Sequence, residues 1–268
     1  MIKIILSDID GTFLKDDKHP PELHIKAIKA VIDKGLRFVF VSARMPEAIY
    51  PITDAIGMAH TPVISYSGGL VLTAAEEVLF DKKISADDAQ GILAAMKRWQ
   101  DITVNYYTGR RWFVEAMDWR AQREVDITSA QVEIGNFDAL LNENIFPNKI
   151  LVMCEPPVCI DMERELGKLF PTLNVVRSAP HLLEIMDKSV SKATGIEVLL
   201  KHYGYTVDEA VAFGDNYNDI EMLELIPQSV AMANAPDAIK KLAAAVTDSN
   251  EVGGIYTYLV KIGVIEGT

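Results

Sequence analysis

The hydrophobic positions of residues 1–41 predict a strand, a helix and a second strand. The run 1–7 is short, apolar and β-branched, which is typical of a buried strand. Apolar residues then recur at helical spacing in 22–34, as Leu23, Ala27, Ile28, Val31 and Ile32. Gly35 follows where helices commonly end, and a second apolar run covers 36–41. This order predicts a βαβ unit in a parallel sheet that is covered on both faces.

The same alternation returns near the C-terminus. Helices are predicted at 191–203, 219–226, 236–242 and 252–260, and strands at 209–213 and 230–232. Together, the two ends of the chain predict an α/β core with a doubly wound, Rossmann-like parallel sheet.

The middle of the chain, 84–187, is richer in aromatic residues and arginine. A hairpin is predicted at 102–115, around Thr108-Gly109-Arg110. Further helices are predicted at 86–99, 118–126 and 158–169, and further strands at 149–153, 173–177 and 182–186. We therefore expect an α+β domain at 84–187, inserted into a core formed by 1–83 and 188–268.

Composition narrows the classes of function. The chain has 268 residues, 49% of them hydrophobic, so it can bury a large core without disulfides. Its net charge of −12 argues against nucleic acid or an anionic membrane as the main partner, but not against a small anionic substrate. No apolar run approaches the length of a membrane helix, and we expect a cytoplasmic protein. We interpret Cys154 and Cys159 as two small buried residues.

Two carboxylates follow the first predicted strand, in Asp8-Ile9-Asp10-Gly11-Thr12. Ligands of open parallel sheets bind at this edge, and Gly11 lets the backbone turn sharply beside it. The alternative is a solvated turn, because Asp and Gly are common turn residues.

A second acidic segment, Gly214-Asp215-Asn216-Tyr217-Asn218-Asp219, follows another predicted strand. Its alternative role is a helix cap made by Asn218 or Asp219. Carboxylates gathered at one sheet edge suit Mg²⁺, which typically takes one or two protein carboxylates together with substrate phosphate. Asp8 and Asp215 are the natural ligands.

A hydroxyl and a cation complete the set of candidates. Ser42 ends the second predicted strand, where it could hold a phosphate oxygen, or else act as a cap. Lys192 stands at a helix start, which is unfavourable for the helix dipole and indicates another role. It could neutralise a phosphate and a carboxylate together; the alternative is an ordinary surface lysine.

Taken in order, these motifs resemble the haloacid dehalogenase superfamily of phosphohydrolases. The closest likeness is to the Cof-type branch, whose α/β cap is inserted between the second and third motifs. The resemblance covers essentially the whole chain and extends to 184–193 and 230–235. Two segments depart from that branch: Ser42-Ala43-Arg44 stands for Thr-Gly-Arg, and Ser67-Gly68-Gly69 stands where Asn-Gly is frequent.

The resemblance implies a Mg²⁺-dependent phosphatase of small organic phosphates, such as sugar phosphates or phosphorylated cofactors. Asp8 would be the nucleophile that forms an aspartyl-phosphate, and Asp10 the general acid and base. The resemblance also implies that Asp215 would bind the metal, together with Asp8 and the backbone carbonyl of Asp10. The phosphoryl group would be bound by Ser42, Lys192 and Asn218. Asp219 would hold metal-bound waters or the lysine.

Four residues are further candidates for substrate contacts: Arg44, Arg110, Arg111 and Trp112. The alternatives are a structural salt bridge for Arg44 and an exposed face of the inserted domain for the others. Two other functions stay open, namely a phosphomutase of similar build and a receiver-like module that is phosphorylated on Asp. The oligomeric state is left open.

Overall fold

The computed structural model describes residues 1–58 and 61–267. Its strands are β1 Ile4–Ser7, β2 Arg37–Val41, β3 Val63–Ser65, β4 Leu70–Leu72, β5 Val78–Asp81, β6 Thr103–Thr108, β7 Arg111–Val114, β8 Glu133–Ile134, β9 Lys149–Met153, β10 Leu173–Ala179, β11 Leu182–Asp187, β12 Ala210–Gly214, β13 Gln228–Ala231 and β14 Ala245–Val246. Its α-helices are α1 Glu22–Asp33, α2 Pro46–Ala55, α3 Ala86–Met96, α4 Trp119–Thr128, α5 Phe137–Asn142, α6 Pro156–Leu169, α7 Lys192–Tyr203, α8 Ile220–Leu225, α9 Asp237–Leu242 and α10 Gly254–Lys261.

The chain divides into two compact units. The first comprises Met1–Ala43, Thr53–Phe80 and Ser191–Thr268, and the second comprises Arg44–Ile52 and Asp81–Val190. The second unit thus includes Arg44–Ile52, a stretch that the sequence analysis assigned to the core. That 84–187 forms a domain of its own stays a prediction.

The first unit is built on one sheet, in the order β14-β13-β12-β1-β2-β3-β4-β5. Strands β14 through β3 pair in parallel, and β4 pairs antiparallel with β3. The central strand β1 has three apolar residues followed by Ser7, and none of the four is exposed, as expected where helices cover both faces of a sheet. The predicted doubly wound parallel sheet is confirmed.

Helices lie on the two faces of this sheet. On one face, the apolar side chains of β1 and β2 pack against α7 and α8 in a single buried cluster. On the other face, Phe40 of β2 contacts Phe13 edge-on with ring centroids 4.8 Å apart, and Phe213 of β12 contacts Tyr258 of α10 at 5.8 Å. Because β1, β2 and β12 run parallel, their carboxyl ends lie at the same edge of the sheet.

The predicted apolar stripe of α1 is partly wrong. Leu23 and Ile32 are 37% and 45% exposed, whereas His24 is fully buried. The imidazole of His24 bonds the carbonyl of Phe13 through Nδ1 (2.8 Å) and accepts from the amide of Ile255 through Nε2 (3.2 Å). Because both ring nitrogens are satisfied, a polar side chain can occupy this core position.

The second unit has its own sheet, in the order β10-β11-β9-β6-β7-β8. Its neighbours pair antiparallel, except β7 with β8. Apolar residues of α3, α5 and α6 cover one face and form the unit's main buried cluster. The predicted hairpin is confirmed as β6 and β7, and the predicted strands 149–153, 173–177 and 182–186 as β9, β10 and β11.

Both cysteines lie in the second unit. Cys154 and Cys159 are free and buried, as the sequence analysis expected.

Within 1–58 and 61–267, no helix is both long and apolar enough to cross a membrane.

Candidate active site

Asp8 continues β1 by one residue, at the carboxyl edge of the first unit's sheet. Its amide donates to the carbonyl of Phe213 at 3.0 Å, which extends the parallel pairing of β1 with β12 past the last strand residue. Because β12 ends at Gly214, this pairing brings Asp215 to the same edge. Asp8 is 5% and Asp215 is 9% exposed.

The loop after Asp8 is fitted closely to Asp215. Thr12 donates its hydroxyl to Asp215 Oδ1 at 2.6 Å. Gly11 has a φ of +83°, and a Cβ built there would lie 2.4 Å from Asp215 Oδ2, so no side chain fits. The Gly11 carbonyl also accepts from Asn234 at 2.8 Å. Two motifs that are far apart in sequence are thereby held as one group.

Lys192 is not a surface lysine; it is 1% exposed. Its Nζ donates to Asp8 Oδ1 and to Asp219 Oδ1, each at 2.5 Å. Burial by itself would lower the pKa of Lys192, but the carboxylates of Asp219 and Asp8 outweigh it and raise that pKa above its ordinary value. The side chain is therefore a buried ammonium that bridges two carboxylates.

Asp219 organises the second acidic segment. It is fully buried, and its Oδ2 accepts from the amides of Asp215 (2.8 Å) and Asn216 (2.9 Å). Asn216, not Asn218, caps the short 3₁₀ turn Tyr217–Asp219, in a capping box with Asp219. The cap considered for Asn218 or Asp219 is thus shared by Asn216 and Asp219.

The acidic residues form a group that could hold a metal ion. Carboxylate oxygens of Asp8, Asp215 and Asp219 lie within 4.8 Å of one another. Burial, offset by Lys192 and reinforced by the neighbouring acids, raises the pKa of Asp8 well above its usual value. Burial likewise raises the pKa of Asp215 to about 6. Oxygen donors with this excess of negative charge fit Mg²⁺. Asp219 already accepts three hydrogen bonds, so Asp8 and Asp215 are the better placed ligands.

Asp10 differs from Asp8 in its exposure. Its side chain is 42% exposed, and its Oδ1 accepts from Lys18 Nζ at 3.0 Å. Two carboxylates that are two residues apart thus have different surroundings, one buried against an ammonium and one open to solvent. An open carboxyl can exchange protons with a leaving group and with water.

Ser42 and Asn218 are placed differently at this edge. Ser42 is 2% exposed and directly follows β2, the neighbour of β1. Its amide donates to the carbonyl of Ile64, and its carbonyl accepts from the amide of Ser67, both at 2.9 Å. Asn218 is exposed, and in the described part of the chain its side chain makes no hydrogen bond.

The other candidate contacts lie in the second unit. Arg110 pairs with Glu47 at 2.5 Å, and Arg111 makes two hydrogen bonds to Glu133. Arg44 donates to the carbonyl of Ala48 at 3.5 Å. These arginines thus have structural partners.

Trp112 is fully buried, and its indole N–H donates to Asn105 Oδ1 at 3.0 Å. It offers no surface to a ligand in this structure, which corrects its selection as a contact. In β7, Arg111 is exposed, whereas Trp112, Phe113 and Val114 are all buried.

Two side chains that contact candidate site residues were missed by the sequence analysis: Thr12, which contacts Asp215, and Lys18, which contacts Asp10. The sequence analysis quoted Thr12 within its motif but gave it no role. Its position directly after Gly11 could have indicated that its hydroxyl is held in one place. Lys18 gave no signal, because nothing in the pattern showed that its loop folds back to Asp10.

Comparison with known proteins agrees with this geometry. The sequence model of the haloacid dehalogenase-like hydrolases matches residues 5–259. A Haemophilus influenzae protein, whose name marks it as a candidate phosphatase, is 32% identical over 95% of this chain and 96% of its own. The 5-amino-6-(5-phospho-D-ribitylamino)uracil phosphatase YitU of Bacillus subtilis is 26% identical over 96% of each chain. A solved haloacid dehalogenase-like hydrolase from Bacteroides thetaiotaomicron superposes with a TM-score of 0.88 at 26% identity, covering 98% of this chain and 100% of that one.

Proposed function

The chain belongs to the haloacid dehalogenase-like hydrolases and is a phosphatase, and on this premise we propose that it hydrolyses small organic phosphate monoesters with Mg²⁺ through an aspartyl-phosphate. The observation that carries this proposal is the buried bridge of Lys192 between Asp8 and Asp219, beside Asp215. A receiver-like module is set aside because the matched family is one of hydrolases.

In the first step, a carboxylate oxygen of Asp8 attacks phosphorus in line with the ester oxygen. The new bond joins Asp8 to phosphorus, the bond to the leaving oxygen breaks, and Asp10 gives that oxygen its proton. In the second step, water attacks the same phosphorus and gives a proton to Asp10. The carboxylate of Asp8 departs, and inorganic phosphate is released.

Asp8 must be ionised to attack. Its burial opposes ionisation, while the ammonium of Lys192 at 2.5 Å favours it. Asp219 holds that ammonium in place from the opposite side. Lys192 and the hydroxyl of Ser42 bind the phosphoryl oxygens, whose charge has to be neutralised in the transition state.

Asp8 and Asp215, together with the backbone carbonyl of Asp10, would hold Mg²⁺. When bound, the ion neutralises charge on the phosphoryl group and on the two carboxylates. Thr12 keeps the Asp215 carboxylate in one orientation through its 2.6 Å hydrogen bond. Removing Thr12 would therefore weaken the metal site without removing a ligand.

The substrate class is a phosphate monoester of a small polar molecule. One relative is named for a phosphorylated ribityl chain attached to a heterocycle, which falls within this class. Asp8, Ser42 and Lys192 recognise only the phosphoryl group, so selection among esters has to come from other residues. We assign that selection to the second unit, with Arg110 and Arg111 as its first candidates.

The test is a panel of phosphate monoesters, including sugar, polyol and nucleotide phosphates, scored by release of inorganic phosphate with Mg²⁺. Wild type should release phosphate, and Asp8→Asn should not. Asp33→Asn, a substitution of an exposed acid on α1, is the matched control and should behave as wild type. Conversion of a substrate to an isomer without release of phosphate would instead identify a phosphomutase.

A further inference from the structure

The turn after β3 holds three successive residues in the left-handed region of backbone conformation. Their φ values are +50° for Tyr66, +51° for Ser67 and +100° for Gly68. This region is unfavourable for residues that carry a Cβ, and Tyr66 and Ser67 are both buried. Such a conformation persists only where its surroundings fix it, and it concentrates at functional sites.

One side of the turn is fixed to Ser42. The amide of Ser67 donates to the Ser42 carbonyl at 2.9 Å, and the amide of Ser42 donates to Ile64 of β3 at 2.9 Å. Both backbone polar groups of Ser42 are therefore held by β3 and its turn. The position of the Ser42 hydroxyl depends on this turn keeping its shape.

The other side of the turn lies against the start of α7. A Cβ on Gly68 would lie 1.9 Å from the carbonyl oxygen of Ser191, the N-cap of α7. A Cβ on Gly195, in the first turn of α7, would lie 2.8 Å from the Cα of Gly68. Two backbones thus touch directly, at the end of the helix that carries Lys192.

We infer that the turn Tyr66–Gly68 sets the distance between the Ser42 hydroxyl and the Lys192 ammonium, and that Gly68 and Gly195 are positioning residues for phosphoryl transfer. This inference rests on the proposed function, in which Ser42 and Lys192 hold the same phosphoryl group. Phosphoryl transfer depends mainly on positioning and charge neutralisation. A misplacement of about 1 Å can lower an enzymatic rate by roughly a hundredfold.

The decisive pair of variants is Gly195→Ala and Gly167→Ala. Both glycines lie within helices, but nothing lies within 4 Å of a Cβ at Gly167. Alanine favours a helix over glycine by about 1 kcal/mol, so Gly167→Ala should keep its fold and its activity. Gly195→Ala should push α7 away from the turn and lower kcat by about tenfold to a hundredfold for a minimal ester. Its KM should change much less, and inhibition by orthovanadate should weaken as kcat/KM falls.

A milder pair covers the case in which Gly195→Ala does not fold. Ser191 caps α7 by accepting from the Thr194 amide at 3.2 Å, and Ser85 caps α3 by accepting from the Asp88 amide at 3.1 Å. Ser191→Ala and Ser85→Ala should lower the urea midpoint similarly. Only Ser191→Ala should also lower kcat, because only α7 carries Lys192.

If Gly195→Ala folds and has the same kcat as Gly167→Ala, the inference is overturned. If Gly195→Ala does not fold, the inference is overturned when Ser191→Ala and Ser85→Ala have equal kcat. Either result would mean that the contact with α7 serves packing alone. Absence of phosphate release by wild type is a different outcome, because it would remove the proposed function and this inference together.

Discussion

Lys192 Nζ lies 2.5 Å from Asp8 and 2.5 Å from Asp219, with almost none of its side chain exposed. A buried charge of this kind stabilises the fold only while its partners remain, and loss of one partner leaves another charge unpaired. Lys192→Met should therefore abolish phosphate release and lower the free energy of unfolding by about 3 kcal/mol in metal-free buffer.

The double variant Lys192→Met/Asp219→Asn separates the two effects. It should recover part of the lost stability, because one unpaired carboxylate is gone, but none of the activity. Lys201→Met, at an exposed position in the last turn of the same helix, is the control and should leave both unchanged. Urea unfolding and phosphate release measure the two properties. Equal stability of Lys192→Met and wild type would show that the bridge contributes nothing to folding.

Metal dependence is the second prediction. A chelator should stop phosphate release, Mg²⁺ should restore it, and Ca²⁺ should restore it poorly because its larger and looser shell misplaces nucleophile and phosphate. Mg²⁺ should also raise the melting temperature of wild type but not of Asp215→Asn. Protons compete with the ion for Asp215, whose pKa is raised to about 6, so the Mg²⁺ affinity should fall as the pH drops below 6. Full activity in metal-free buffer would show that Asp215 does not act as a metal ligand in catalysis.

Asp10→Asn should affect poor and good leaving groups unequally. An alkoxide needs a proton as it departs, whereas nitrophenolate hardly does, so the phosphorylation step should slow far more for an alkyl phosphate. Rapid mixing isolates this step from the later attack of water. Lys18→Met tests the neighbouring contact. Because the ion pair of Lys18 with Asp10 is exposed, this substitution should change either rate by a few-fold at most. An equal slowing of both esters by Asp10→Asn would exclude Asp10 as the general acid.

His24 should make stability depend on pH. Burial lowers its pKa to about 4 in the folded protein, against about 6.5 when unfolded. Between these values the unfolded chain binds more protons, so stability is full above pH 6.5 and is lost as the pH falls towards 4. From pH 7.5 to 5 the loss should be about 2 kcal/mol.

Buried carboxylates with raised pKa values, such as that of Asp215, act in the opposite direction over this range. The urea midpoint should therefore be measured against pH in wild type and in His24→Asn. The contribution of His24 is the difference between the two pH dependences. His181→Asn, at an exposed position, is the control and should keep the wild-type dependence. The same dependence in His24→Asn and wild type would show that His24 is not the group responsible.

Much of the first unit could be predicted because its strands are continuous apolar runs that end in polar residues. β1 and β12 stand out for this reason, and the chemistry follows directly after each. α2 was missed because Pro46 and Pro51 look like helix breakers, although the helix begins at Pro46 and tolerates Pro51 within it. The burial of His24 could not be predicted either, since its partners Phe13 and Ile255 come together only in the folded chain.

The sequence identified which residues belong to the candidate site, but it did not show which of them contact one another. Position alone marked Asp8, Asp215 and Lys192, because each stands at a strand end or a helix start. No pattern in the sequence shows that Lys192 bridges Asp8 and Asp219. In the second unit, arginines and aromatics near one another suggested a binding face, but no pattern in the sequence showed that Trp112 is buried or that Arg111 pairs with Glu133.

Whether Asp8 carries the phosphoryl group is tested most directly by trapping it. Asp10→Asn should be mixed with 4-nitrophenyl phosphate and Mg²⁺, quenched within one turnover and reduced with borohydride, which converts an aspartyl-phosphate to homoserine. We expect a burst of about one equivalent of nitrophenolate, and homoserine at position 8 in the peptide mass spectrum. A burst of the same size with Asp8 unmodified and another residue phosphorylated would contradict the mechanism.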